Sequence, residues 1–252
     1  MHSPNTRPVC SKTLAAGLLA LGLVVHPPSS QAALSINGTR VVVSSDQRSA
    51  TLIVSNPSQQ TYAVQTWVNT ESDDTTTAVP FIASPPLFRL DPGNEQQVQI
   101  NRLPNNLPTD RESLFFFNVQ EIPPVDSSQT NVLNIALRTR IKVFHRPAHL
   151  KENPSSRLKD LQWSIKRING QAHLWVNNPT PFHVSFLRIE VSAKGQHQTI
   201  HSPAMVYPLS SQSYQLDTFK VDGISNPQVS FSAVDDYGAR ISPAPMAIQP
   251  LP

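Results

Sequence analysis

From Leu34 onward the chain alternates apolar and polar residues in short runs. The runs Thr39 to Val43, Ala50 to Ser55, Ala63 to Asn69, Leu87 to Leu90, Gln97 to Asn101 and Leu114 to Ile122 are rich in β-branched and aromatic residues. Each is bounded by Asn, Asp, Ser, Gly or Pro, and a two-residue period with such boundaries predicts β-strands. No window carries a 3.6-residue period. The 24 prolines fall at connections such as Asn56-Pro57, Asp91-Pro92-Gly93 and Pro123-Pro124, where a fixed φ suits a turn and the missing N–H is no loss. The pattern predicts an all-β protein with turns at the spacing of a sandwich.

The longest uninterrupted run is Val132 to Phe144, without Gly or Pro and closed by Arg146-Pro147. At about 3.3 Å per residue it would span about 40 Å as one strand, more than a small sandwich requires, so one end is expected to project past its sheet. Leu133, Ile135 and Leu137 fall on one face; Asn134, Ala136, Arg138 and Arg140 fall on the other. Two interpretations stand. The apolar three are ordinary core, which base rates of burial favour, or they form an exposed row on an edge strand, which templates pairing with another polypeptide unless blunted by charge or Pro. No charge lies between Val132 and Leu137.

A second series of strands follows a hydrophilic connection around Lys151 to Ser156: Leu161 to Ile165, Ala172 to Asn177, His183 to Val191, Ser213 to Leu216 and Val229 to Val234. Leu52-Ile-Val-Ser-Asn56-Pro57 and Leu174-Trp-Val-Asn-Asn178-Pro179 repeat a strand, Asn-Pro turn, strand unit. Two related sandwich domains are expected, residues 33–147 and 148–252, each close to the size of about 100 residues usual for such a fold.

Residues 1–32 change the setting. Arg7 and Lys12, the apolar run Leu14 to Val25, and Ser30-Gln31-Ala32 form the three parts of a secretory signal peptide. The run is shorter than the roughly 17 residues needed to cross a bilayer. Cys10 precedes the apolar run, which disfavours a lipoprotein, and it is the single Cys of the chain. Cleavage would therefore leave no disulfide and no thiol chemistry in an oxidising compartment. It would also remove two basic residues and no acidic one, leaving 18 Lys and Arg against 17 Asp and Glu, a balance that offers no basic surface to nucleic acid.

Chemistry is sparse. The chain has no G-x-S-x-G, no Gly-rich phosphate loop and no H-E-x-x-H. His145 with His149 and His197 with His201 sit at i, i+4, a spacing that aligns ligands on helices rather than strands, so solvated or interfacial histidines are expected and no metal. Two cations are more informative: Arg40 heads a strongly apolar strand, and Lys142 lies near the end of the long one. They are either solvated surface charges or, if both face a cleft between domains, an anion site suited to a chain-terminal carboxylate.

Several segments, in order along the mature chain, resemble the PapD-like periplasmic chaperones of chaperone-usher pili: Thr39-Arg40-Val41-Val42, Pro85 to Gly93, Asp110 to Phe115, Asn118 to Pro124, and Ile135 to Pro147. The resemblance implies two immunoglobulin-like sandwiches in a boomerang, with a subunit-binding cleft between them. It implies that Arg40 and Lys142 anchor the subunit's terminal carboxylate, and that Leu133, Ile135 and Leu137 fill the groove of an incomplete subunit. Glu112, Arg146 and Asp236 match an ionic cluster that fixes the domain angle; the alternative is three unrelated surface charges. The short, Cys-free connection from Pro123 to Asn131 is similar to the short-loop branch of the family. Lys142 and Leu137 have opposite parity, so a shared cleft would require a bulge or twist between them.

The expectation is a non-enzymatic periplasmic chaperone, without cofactor, that lends a strand to pilus subunits and passes them to an outer-membrane usher. The free chaperone could bury its donor strand by self-association. A two-domain adhesin or structural pilus subunit, and a periplasmic hydrolase, are the rival classes; the first should carry a donor extension of its own, the second a nucleophile and base.

Overall fold

The computed structural model describes residues 34–74, 76–124, 135–193, 195–219 and 226–249. They form two sandwiches, each around its own core. The first contains β1 (Ser35–Ile36), β2 (Arg40–Ser44), β3 (Ser49–Ser55), β4 (Tyr62–Asn69), β5 (Phe81–Ser84), β6 (Leu87–Leu90), β7 (Glu95–Arg102), β8 (Ser113–Ile122) and β9 (Arg138–Arg146). Its sheets have the orders β1-β3-β7-β5 and β2-β9-β8-β4-β6. Alternation builds the core directly: Val41 and Val43, Leu52 and Val54, Val98 and Ile100, and Ile141 and Val143 all point inward and are buried.

The second sandwich contains β10 (Gln162–Ile168), β11 (Gln171–Asn178), β12 (Phe186–Ala193), β13 (Gln196–His201), β14 (Ser210–Leu216), β15 (Gln228–Val234), β16 (Arg240–Ile241) and β17 (Met246–Ala247). The sheets run β10-β11-β14 and β13-β12-β15-β16, with β17 pairing β15. Trp163 centres this core, its ring 5.8 Å from Phe186 and 5.4 Å from Phe231. One short 3-10 helix, Pro154–Asp160, precedes β10, capped by the Asn153 side chain accepting from Ser155 N. No helix among the described residues is long and apolar enough to cross a membrane.

The sequence repeat is a structural repeat. Asn56 and Asn178 are both fully buried, and their side chains close the same turn. Asn56 Nδ2 donates to the carbonyls of Gln60 and Leu90 while its Oδ1 accepts from Ser58 N and Oγ. Asn178 Nδ2 donates to the carbonyls of Phe182 and Tyr207 while its Oδ1 accepts from Thr180 N and Oγ1. A buried amide tolerates desolvation only when its donors and acceptor are used, and here both residues achieve that.

Four differences from the sequence pattern have physical causes. The long strand expected from Val132 begins, within the described residues, at Arg138. Its neighbour β8 ends at Ile122, Pro123 and Pro124 can donate nothing, and β2 covers only Lys142 to Arg146; a single bond, Glu121 N to Leu137 O at 3.0 Å, reaches farther back. The β8–β9 register is unbroken from Arg138 to His145, so no bulge separates Lys142 from that end. His145 is buried rather than solvated, beside Phe81. Finally, β13 has a largely polar sequence and half-exposed side chains, so edge pairing, not periodicity, creates it.

Candidate functional site between the two sandwiches

All strand pairs of the first sandwich are antiparallel except one. β2 runs parallel to β9, with Arg40 opposite Lys142 and Ser44 opposite Arg146. Neighbouring strands lie about 4.8 Å apart, so this register sets Arg40 and Lys142 side by side on the face that Arg138, Arg140 and Arg146 also share. That face meets the second sandwich.

Arg40 Nη1 donates to Val234 O at 3.0 Å, and its guanidinium lies 5.8 Å from the Phe144 ring centre. Lys142 Nζ donates to Ser185 Oγ at 3.1 Å. Both partners belong to the second domain, and both are neutral acceptors. Neither cation forms an ion pair with a carboxylate among the described residues. Burial pushes the Arg40 pKa down, against the attraction of Asp236, Asp235 and Glu112. Burial likewise lowers that of Lys142, and the Arg40 charge adds to the effect while Glu71 offsets part of it. Two partly desolvated like charges with no direct anion form a site that gains from an incoming carboxylate.

Beside this pair lies a compact ionic cluster. Arg146 Nε donates to Glu112 Oε1 at 2.7 Å, and its two terminal nitrogens hold Asp236 in a fork at 2.7 and 2.8 Å. The other Glu112 oxygen is bound by His183 N at 2.8 Å and His183 Nδ1 at 3.0 Å. Glu112 N donates to Pro181 O, and the Arg146 guanidinium lies 5.2 Å from the Phe182 ring centre. Burial would lower the Arg146 pKa, but hydrogen bonding to Asp236 and the charges of Glu112 and Asp236 outweigh it and raise the value. Phe144 and Phe182 are buried here, with Phe144 5.2 Å from His183, so the charges rest on an apolar floor.

Asp236 reaches the cluster from a turn whose shape is set locally. Asp235 Oδ1 accepts from the N–H of Tyr237 and Ala239, and Gly238 takes φ +87. A Cβ on Gly238 would lie 2.6 Å from Thr39 Oγ1, the residue before Arg40. Only glycine lets the second domain's turn approach β2 this closely.

Of the residues singled out from sequence, Arg40 and Lys142 are thus adjacent, and Arg146 bonds both Glu112 and Asp236. Ile135 and Leu137 are 61% and 52% exposed. Leu133 and residues 125–131 of the connection resembling the short-loop branch lie outside the described residues. Lys142 remains on the face opposite Ile141 and Val143, the parity of Leu137. Sequence reasoning missed Ser185, His183 and Gly238. Ser185 carried no signal; His183 and Gly238 sit within Pro-Thr-Pro-Phe-His and Asp-Asp-Tyr-Gly, polar-aromatic turns that mark special backbone positions. No group of three or more His, Cys, Asp and Glu able to hold a metal occurs among the described residues.

Known proteins resemble the chain over both sandwiches. Residues 33–151 match the family model described as pili and flagellar-assembly chaperone, PapD N-terminal domain, and residues 156–244 the pili assembly chaperone PapD C-terminal domain. The chain is 37% identical to the probable fimbrial chaperone YadV of Escherichia coli K12, over 84% of this chain and 89% of the relative. It is 37% identical to the Escherichia coli chaperone protein PapD, over 83% and 84% respectively. The crystal structure of YadV superposes with a TM-score of 0.74 at 35% identity, covering 86% of this chain and all of that one. The SafB chaperone of Salmonella enterica, solved in complex with the SafA pilin, superposes at 0.70 with 27% identity, covering 87% and 97%. The chain belongs to the PapD-like family of pilus-assembly chaperones.

Proposed function

We propose that this protein, a non-enzymatic pilus chaperone by family, acts in the periplasm: residues 1–32 direct export, and residues 33–147 and 148–252 form the two domains that receive a pilus subunit between them. Arg40 and Lys142 bind the subunit's terminal carboxylate. Leu133, Ile135 and Leu137 enter the groove of the incomplete subunit, which is later passed to an outer-membrane usher. The Arg146 cluster holds the domains at the angle this requires.

The observation that carries this reading is the parallel pairing of β2 with β9. It gathers two cations at the domain boundary and leaves both bonded to neutral acceptors. Ile135 and Leu137, exposed and preceding the paired stretch of β9, support the donor role, since each apolar side chain seated in a groove is worth about 1.5 to 3 kcal/mol. A better-fitting strand in the fibre would then displace the donor without ATP. Affinity purification from periplasmic extract tests the proposal. Wild-type protein should retain small sandwich proteins with an apolar terminal strand, and Arg40→Ala, equally folded, should lose them. The expected loss is about 2 to 5 kcal/mol; equal recovery by both proteins would rule out the carboxylate anchor.

A further inference from the structure

Lys142 and Glu71 approach the same patch of the second domain from the first, yet do not bond to each other. On the first domain, Arg140 shares the outward face of β9 with Lys142, and Arg140 Nη2 donates to the Glu71 carbonyl at 3.2 Å and also to the Thr70 carbonyl. This fixes the Glu71 backbone one step along the strand from Lys142. On the second domain, Val184 bridges Val206 antiparallel, which sets Ser185 opposite Met205 and His183 opposite Tyr207. The Ser185 Oγ to Met205 Sδ contact of 3.4 Å and the His183 to Tyr207 ring separation of 5.5 Å fit that register. Lys142 donates to Ser185, and Tyr207 Oη donates to the Glu71 carboxylate. Ser185, which accepts from Lys142, and Tyr207, which donates to Glu71, are therefore diagonal neighbours.

Resting on the carboxylate-anchor reading above, we propose that Tyr207 is a positioning residue that keeps Lys142 available by holding the Glu71 carboxylate away from it. Glu71 is an internal anion with the chemistry of the client's terminus. Freed from Tyr207, it is no longer held back from Lys142, whose charge it already feels, and pairing would cap the anchor. Held by Tyr207, it remains a repulsive neighbour that sets how tightly a carboxylate binds. Two shifts agree with this arrangement: the Tyr207 hydroxyl is pushed up to about 12, by burial first and the Glu71 bond second, and Glu71 raises the Lys142 value against burial.

The test is a mutant cycle read by fluorescence anisotropy with a labelled synthetic strand peptide ending in a free carboxylate, and with its C-terminal amide twin. Glu71→Gln should tighten carboxylate-peptide binding about two- to fivefold, the scale of a solvent-accessible charge pair. Tyr207→Phe should weaken it by a similar factor, and Tyr207→Phe combined with Glu71→Gln should behave as Glu71→Gln alone. The amide twin should bind all three alike. No change with Glu71→Gln, or the same Tyr207→Phe effect in both backgrounds, overturns the proposal. If wild type binds the two peptides alike or neither of them, the carboxylate anchor itself fails. The device is then judged from the 13C-methylated Lys142 amine titrated by NMR: its pKa should rise in Tyr207→Phe and fall in Glu71→Gln, and a Lys142 pKa identical to wild type in either variant overturns it.

Discussion

Truncating Arg146 tests the ionic cluster most directly. The Arg146 side chain retains 14% of its accessibility, Glu112 2% and Asp236 30%. Arg146→Ala leaves Asp236 free to turn to water, so that half of the cluster behaves as an exposed pair worth about 0 to 1 kcal/mol. Glu112 cannot escape: it keeps its two His183 donors but loses the partner of Oε1. Breaking a buried pair by removing one member costs about 3 to 5 kcal/mol. Taking the lower end, because His183 still serves one oxygen, and adding up to about 1 kcal/mol for the stack on Phe182, the expected loss is about 4 kcal/mol. For two domains unfolding together, at about 2 to 4 °C per kcal/mol, Tm should fall by about 8 to 16 °C in a calorimetric scan. Glu112→Gln added to Arg146→Ala removes the stranded charge and should recover part of the loss. A fall below about 3 °C in the single variant, or a double variant less stable than the single one, would refute the reasoning. Small-angle scattering of Arg146→Ala then asks whether the cluster also sets the domain angle; an unaltered profile would restrict its role to stability.

Ile135→Ser should leave Tm close to wild type, because the side chain is 61% exposed, yet abolish protection of a client subunit in the periplasm; a large fall in Tm would return Ile135 to the core. Gly238→Ala meets both a left-handed φ, worth about 1 kcal/mol, and a 2.6 Å contact with Thr39 Oγ1. Its thermal midpoint should drop, with partial recovery when Thr39→Ala is added; full stability of Gly238→Ala would mean that the turn does not approach β2 this closely. His145 is buried without a partner for either ring nitrogen, and burial first, then the Arg102 charge, holds its pKa below the ordinary value. The unfolded chain then binds the proton first on acidification, so stability present at neutral pH declines as pH falls from about 6.5 toward the lower folded pKa. His145→Leu should flatten Tm against pH over about pH 7 to 5, and an equal acid slope in both proteins would exclude His145 as its source.

The local rules of strands and turns made the all-β class legible. Val41, Val43, Leu52 and Val54 alternate because one face of each strand must be buried, and that period is written in the residues themselves. The same holds for the Asn56 and Asn178 turns, where Asn-Pro announces a side chain that caps its own loop. Ile135 and Leu137 were legible as an apolar row, but periodicity alone left core and exposed edge both open, and only the resemblance favoured the exposed row that the structure has. Their fate depended on where β8 and β2 end, and strand partners are chosen by the whole fold. The parallel pairing of Arg40 with Lys142, about a hundred residues apart in sequence, likewise carries no local signature. Nor does the seating of His183 on Glu112, of Ser185 under Lys142, or of Gly238 against Thr39, because each needs a second domain to arrive at a particular distance. Sequence periodicity determined which face of each strand is apolar; only tertiary packing decided which charges lost their water, which found partners, and which were left to bind something else.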